Sequence, residues 1–163
     1  MTMEDIGHIS LNDIRISDLM KDASRSTLQT IGPDATLKQA ADAMAKSRSR
    51  KVYVVDAEKR LMGTITLETL LAHAGYTLGI RKTGISSFFK MLSDLGDEKA
   101  SQAMVESVTI SSDELLLNAA KLMVDNHLND LPIVGLKNEL LGELDGMEII
   151  KFAGKLVAEN TPA

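Results

Sequence analysis

The most constraining feature of this 163-residue chain is one pattern written twice, at a shift of 79 positions. Thr30-Ile31 returns as Thr109-Ile110. The same shift carries Asp34 onto Asp113, Leu37 onto Leu116, Ala40-Ala41 onto Ala119-Ala120 and Met44 onto Met123. It carries Val55 onto Val134, Leu61 onto Leu140, Gly63 onto Gly142 and Ala74-Gly75 onto Ala153-Gly154, without a gap. A repeat of this length means two copies of one supersecondary unit.

Both copies parse alike. A short strand ends at Thr30-Ile31 or Thr109-Ile110. A polar stretch follows, Gly32-Pro33-Asp34 or Ser111-Ser112-Asp113, and reads as a helix start. Leu37, Ala40, Ala41 and Met44, like Leu116, Ala119, Ala120 and Met123, recur at i, i+3, i+4, i+7 and predict an amphipathic helix. The apolar runs 52–55 and 131–134 are short enough for buried strands, and polar turns lead from them into second strands, Leu61 to Ile65 and Leu140 to Leu144. The last helices, Thr66 to Gly75 and Asp145 to Gly154, end at glycines suited to a left-handed C-terminal cap. The order is β-α-β-β-α, twice. Three strands cannot easily cover both faces of their sheet alone. The expected fold is therefore α+β, with two units packed as a pseudo-twofold pair, and such surfaces favour a homodimer.

The boundaries that follow are an N-terminal segment 1–15, unit one 16–75, an insert 76–101, unit two 102–154 and a tail 155–163. The first segment, with Ile6, Ile9, Leu11 and Ile14, is expected to pack on the second copy or to cross to a twin subunit. In the insert, Ser86 to Gly96 reads as an amphipathic helix with Phe88, Met91, Leu92 and Leu95 on one face. That helix either covers its own pair or twin, or docks a regulated protein.

Composition excludes several functions. There is no cysteine, so disulfide, thiolate and Cys-type zinc chemistry is absent. A net charge of −5 argues against non-specific nucleic-acid binding. With 3% aromatics and no Trp, base-stacking platforms lack material. No apolar run reaches the ~20 residues of a membrane span, and residues 1–10 lack a basic, apolar leader. No membrane insertion and a cytoplasmic location are expected. His8, His73 and His127 lack metal spacing. Methionines read as core filler.

The ordered set of features resembles the CBS domain, named after cystathionine β-synthase, in its tandem form, the Bateman module. The residues that carry the likeness are Asp18-Leu19-Met20 and Gln102-Ala103-Met104, the Thr-Ile strands and the Ala-Ala-x-x-Met helices. The central strands and the Gly-x-x-Thr-like corners at Gly63 and Gly142 complete it. The resemblance implies a non-catalytic regulatory role, with AMP, ADP, ATP or another adenosyl ligand in a cleft between the copies, and often a dimer.

It also implies where a ligand meets the chain. One place is the first strand, Thr30 and Thr109. Another is the opening of the central strand, Lys51, Val52 and Tyr53, or Asp130, Leu131 and Pro132. The third is the strand-to-helix corner, where the family has a phosphate-binding hydroxyl and, three residues on, a ribose-binding acid. Copy one offers Thr66 and Thr69, so it keeps the hydroxyl and lacks the acid. Copy two offers Asp145 and Glu148: the acid is present and a carboxylate stands where phosphate is expected, which calls for a neutral nucleoside or a Mg²⁺ bridge.

Plainer readings stand beside these. Thr66 and Asp145 also make good helix N-caps. Arg48, Arg50 and Lys51 also suit a solvated helix end. Asp145 and Glu148, at i, i+3, also read as helix-start acidity rather than a cation site or a metal hydrolase. The leading expectation is a sensor acting on an unidentified protein in trans. The alternative is a degenerate pair serving only dimerisation or protein interaction.

Overall fold

The computed structural model describes residues 13–20, 28–78 and 95–159. It is α+β, with two three-stranded sheets of the same topology. In the first, β1 (Thr30–Ile31) runs parallel to β2 (Lys51–Val55), which pairs antiparallel with β3 (Leu61–Thr66). The second repeats this with β4 (Ile110–Ser111), β5 (Asp130–Val134) and β6 (Leu140–Asp145). Helices α2 (Leu37–Ser47) and α3 (Leu67–Leu78) belong to the first copy. Helices α5 (Leu116–Asp125) and α6 (Gly146–Glu159) belong to the second. Two short helices, α1 (Ile16–Met20) and α4 (Ala100–Ala103), precede the copies.

The chain divides into two compact units, and the division crosses the order of the repeats. Residues 27–107 form one, so α4 packs with the copy it follows. Residues 108–163 form the other together with the N-terminal part that holds α1. The two short helices make matching bonds. Ile16 N–H donates to Glu114 O (3.0 Å) and Ser17 N–H to Ser112 O (2.9 Å). Ala100 N–H donates to Ala35 O (2.7 Å) and Ser101 N–H to Pro33 O (3.0 Å). Each short helix thus docks on the turn that leads into α2 or α5 of its unit.

Both cores follow the sequence periodicity. Leu37, Ala40 and Met44 meet Val52, Val54, Ile65, Leu70 and Ala74. Leu116, Ala119 and Met123 meet Leu131, Ile133 and Leu144, with Ile14 and Ile16 added from the N-terminal segment. Of the expected insert helix, only Leu95 and Gly96 fall within the described residues, and Leu95 is buried in the first core.

The copies share the register of their edge strand, Ile31 opposite Val54 and Ile110 opposite Ile133, but differ in which rung lies beside it. In copy one Tyr53 N–H donates to Gln29 O (2.9 Å). The equivalent of Tyr53 is Pro132, which has no N–H to give. In copy two Ser112 N–H donates to Val134 O (3.2 Å), and the equivalent of Ser112 is Pro33. Each copy loses one rung to a proline at opposite ends of the ladder. Hence β1 is Thr30–Ile31, whereas β4 is Ile110–Ser111 rather than the expected Thr109-Ile110.

The helix ends also depart from expectation. Gly32 to Ala35 form a turn, closed by Ala35 N–H donating to Gly32 O (3.2 Å), and α2 starts after Thr36. Thr36 Oγ1 accepts from Gln39 N–H (3.2 Å) while Gln39 Oε1 accepts from Thr36 N–H (2.9 Å), a capping box. In copy two Leu115 takes that place with no side-chain cap bond. Replacing Thr36 by Ala should cost about 0.5–2 kcal/mol, read as a lowered midpoint of thermal unfolding. An unchanged midpoint would contradict the cap.

Gly75 and Gly154 do not end their helices; both lie inside α3 and α6. A mid-helix glycine costs roughly 1 kcal/mol relative to alanine, too little to end either helix. Among the described residues, the non-glycine left-handed positions are Arg48 and His127 (φ 54° and 55°) and Lys59 and Asn138 (φ 61° and 63°). They form two repeat-related pairs, just past α2 and α5 and in the two hairpin turns.

Candidate functional site

At the corner of copy one the hairpin ladder sets Lys51 directly opposite Thr66. Side chains so paired lie on one face, with Cβ atoms roughly 4.5–5.5 Å apart. Lys51 Nζ stands 5.3 Å from the centroid of the Tyr53 ring, on the same face of β2. Val52 points the other way, into the core, so it can offer a ligand only its backbone. Thr30, Tyr53 and Thr64 form one row across the sheet. Thr64 is buried, bonds Ser107 through its hydroxyl and exchanges two backbone bonds of 2.9 Å with Val105.

The N-terminus of α3 is already served by the chain. Leu67 N–H donates to Arg50 O (2.7 Å), and Thr69 N–H donates to Thr66 Oγ1 (3.1 Å). The Thr66 and Thr69 hydroxyls bond one another at 2.9 Å. Thr66 is therefore a helix cap in this structure. A hydroxyl still holds one donor and two acceptor sites. With Thr69 donating to Thr66, the Thr66 O–H is left to donate elsewhere while the cap stays intact.

Thr66 and Thr69 line an open groove of about 680 Å³. Its walls are α3, with Glu68, Ala72 and His73, and the segment around α4, with Glu98, Gln102, Ala103 and Val105. His73 Nε2 contacts Glu98 Oε2 across the groove. Beside it, Lys99 donates to Asp34 (2.7 Å), which holds that carboxyl below its ordinary value. Lys51, Val52, Tyr53 and Thr30 are not among the residues that line this groove.

Copy two has the same backbone and the opposite charge. Asp130 stands opposite Asp145, at the places of Lys51 and Thr66. Asp145 Oδ1 accepts from Met147 N–H (2.8 Å), and Glu148 Oε2 accepts from Asp145 N–H (3.1 Å), so both acids serve the N-terminus of α6. Gly146 N–H donates to Asn129 O (2.8 Å). Leu131 is in the core, and Pro132 is buried opposite Glu143. Thr109 lines a separate groove of about 520 Å³ between β4 and α5, which contains none of these corner residues.

Among the described residues, no group of three or more His, Asp or Glu side chains could hold a metal ion. A Mg²⁺ shared with phosphates needs only one or two carboxylates, so copy two does not conflict with that use. No described helix is long and apolar enough to cross a membrane.

His73, Glu98 and Gln102 were not foreseen as site residues. His73 was legible, since it follows Thr66 and Thr69 at i+7 and i+4 on one helix. Glu98 and Gln102 arrive from a distant segment and carry no local signal.

Comparison with known proteins agrees with this architecture. The CBS-domain family model matches residues 16–75 and 100–154. The uncharacterized protein MJ1232 of Methanocaldococcus jannaschii is 26% identical over 156 residues, which is 95% of this chain and 45% of that protein. The chain thus spans less than half the length of this curated relative. A CBS domain-containing protein of Thermotoga maritima, tm0935, has a similar structure at 25% identity and TM-score 0.65, covering 88% of this chain and 96% of that one. The Arabidopsis thaliana CBS-pair protein CBSX2 matches at 17% identity and TM-score 0.71, over 91% and 99% of the two chains. A CBSX2 structure in complex with AMP matches with a TM-score of 0.66 at 17% identity, over 88% and 98% of the two chains. With two matched segments covering most of its length, this chain belongs to the CBS-domain family and carries the domain in tandem.

Proposed function

We propose that this protein is a non-catalytic regulatory CBS pair of the cytoplasm that binds an adenine nucleotide and acts on a partner protein in trans. The observation that carries the reading is the charge contrast at equivalent corners. At one, Lys51 stands opposite Thr66 in the ladder and Thr66 bonds Thr69; at the other, Asp130 stands opposite Asp145, whose N–H bonds Glu148. An ammonium, a hydroxyl able to donate and a helix N-terminus suit phosphate. Three carboxylates repel it unless a Mg²⁺ intervenes. Copy one is therefore the phosphate site and copy two a nucleoside or Mg²⁺-dependent site. The AMP complex of the similarly folded CBSX2 supports the choice of ligand class.

The test is titration calorimetry with AMP, ADP, ATP and S-adenosylmethionine, with and without Mg²⁺. Saturable binding by a phosphate-bearing ligand is expected, with about 2.7 kcal/mol of added stability at 100 times Kd. Replacing Lys51 by Ala should weaken the nucleotide about tenfold and leave adenosine unchanged, since only the charge-assisted bond to phosphate is lost. Flat responses to all four ligands would sink the reading.

The internal capping favours a second reading. Each corner spends its polar atoms on its own helix, as a pair that has lost its ligand would. In that case the protein is a dimerisation or interaction module, and the four titrations are flat while partner capture persists.

A further inference from the structure

Copy one lacks an acid at the ribose position, where Thr69 stands. Yet its groove is not without carboxylates: Glu98 and Glu68 both line it. We infer that Glu98 supplies the ribose-binding carboxylate of copy one from the segment before α4, held in place by His73. The inference rests on the nucleotide-binding reading above and names the specificity-determining residue of that site.

The placement follows from the helix. Thr66 caps α3, and Thr69 and His73 follow it at i+3 and i+7 on the helix, all three lining the same groove. Thr69 and His73 are one turn apart, roughly 5–6 Å between Cβ atoms. Glu98 Oε2 touches His73 Nε2, and Glu98 lines the same groove as Thr69, so the carboxylate stands beside the helix turn that follows Thr69. Glu68 is a poorer candidate. It precedes Thr69 by one residue, about 100° around the helix, and is exposed.

The chemistry suits a vicinal diol. An ionised carboxylate offers about four lone-pair sites, so one contact with His73 leaves capacity for the 2′ and 3′ hydroxyls. His73 fixes the rotamer of Glu98, which lowers the ordering cost of binding. Backbone bonds on both sides hold the segment itself: Leu37 N–H donates to Glu98 O (2.9 Å) and Ala100 N–H to Ala35 O (2.7 Å). The acid therefore sits on a fixed element.

The experiment compares AMP, ADP and ATP with their 2′-deoxy forms by calorimetry without Mg²⁺, where the acidic corner of copy two repels phosphate, on the wild-type protein, Glu98→Gln and Glu68→Gln. Wild type should prefer the ribo form by about tenfold or more, as expected for a hydrogen bond to a charged group. Glu98→Gln should weaken the ribo form by a similar factor and bind both forms alike, because the lost hydroxyl and the lost charge are the same interaction. Glu68→Gln should keep the preference. Ribo preference retained in Glu98→Gln, or lost in Glu68→Gln instead, overturns the inference while nucleotide binding stands. No binding of any nucleotide by wild type overturns both. Glu98 is partly exposed, and unchanged thermal unfolding of Glu98→Gln checks that the fold is kept.

Discussion

Replacing Ile16 by Ala will destabilise the unit that carries the second repeat by about 2–5 kcal/mol, although Ile16 precedes the first repeat in the chain. The side chain is fully buried, among Leu116, Ala119, Met123, Leu131 and Leu144. Removing three carbons there forfeits their transfer energy and leaves a cavity that rigid neighbours only partly close. The segment has no other home. Its helix is five residues long, too short to persist alone, and its backbone bonds run to Glu114 and Ser112 of the second copy. Leu116 N–H in turn donates to Ile14 O (2.8 Å), so the start of α5 loosens when the segment leaves. Amide hydrogen exchange reads the result. Faster exchange should appear in α5 and β4 to β6, with β1 to β3 unchanged. Lost protection in β1 to β3 instead would refute the assignment of the segment to the second copy.

That crossing marks the limit of what the residues alone disclose about the fold. The repeat, the phase of both long helices and the hairpins were legible, because buried positions must recur at 3.6 or 2 residues to face one core. Helix starts were not. Gly32-Pro33-Asp34 competes with Thr36 as a start signal, and the reciprocal bonds of Thr36 with Gln39 settle it only once the chain is folded. Nor was the docking of α1 and α4. These helices match each other at a different shift from the rest of the repeat, and their partners lie far away in sequence. The candidate site divides in the same way. The family resemblance singled out Thr66, Thr69, Asp145 and Glu148 as candidates, and their residue types alone make the two corners unequal. The resemblance could not disclose that Thr66 and Asp145 spend acceptors on their own helices, since capping and ligand binding ask for the same residue types. Glu98 was hidden for the reason α4 was: nothing local says which groove a distant segment will line.

Two glycines at equivalent places should respond to alanine with opposite signs. Gly63 and Gly142 occupy matching positions in β3 and β6, opposite Val54 and Ile133. Neither has a positive φ, so alanine fits the backbone at both, and a Gly to Ala change then gains about 0.4–1 kcal/mol from the unfolded chain. The surroundings decide the rest. A Cβ on Gly142 would meet Met20 Cε at 3.4 Å and Ile133 Cδ1 at 3.9 Å, ordinary contact with side-chain ends. A Cβ on Gly63 would meet the Val105 carbonyl oxygen at 2.8 Å and Met104 Cγ and Sδ at 3.0 Å. The methionine can turn aside; the carbonyl cannot, because it accepts the Thr64 N–H at 2.9 Å. Relief requires Val105 to move and its paired bonds with Thr64 to stretch. Gly63→Ala should therefore cost about 1–3 kcal/mol net, the usual penalty of overpacking, whereas Gly142→Ala should be neutral or stabilising. Chemical denaturation of the two variants measures both signs. Val105 also lines the groove of Thr66 and Thr69, so Gly63→Ala should weaken nucleotide binding where Gly142→Ala leaves copy one untouched. Equal stability changes at the two positions would show that Val105 does not press on Gly63, and the close packing of Met104 and Val105 against β3 would have to be abandoned.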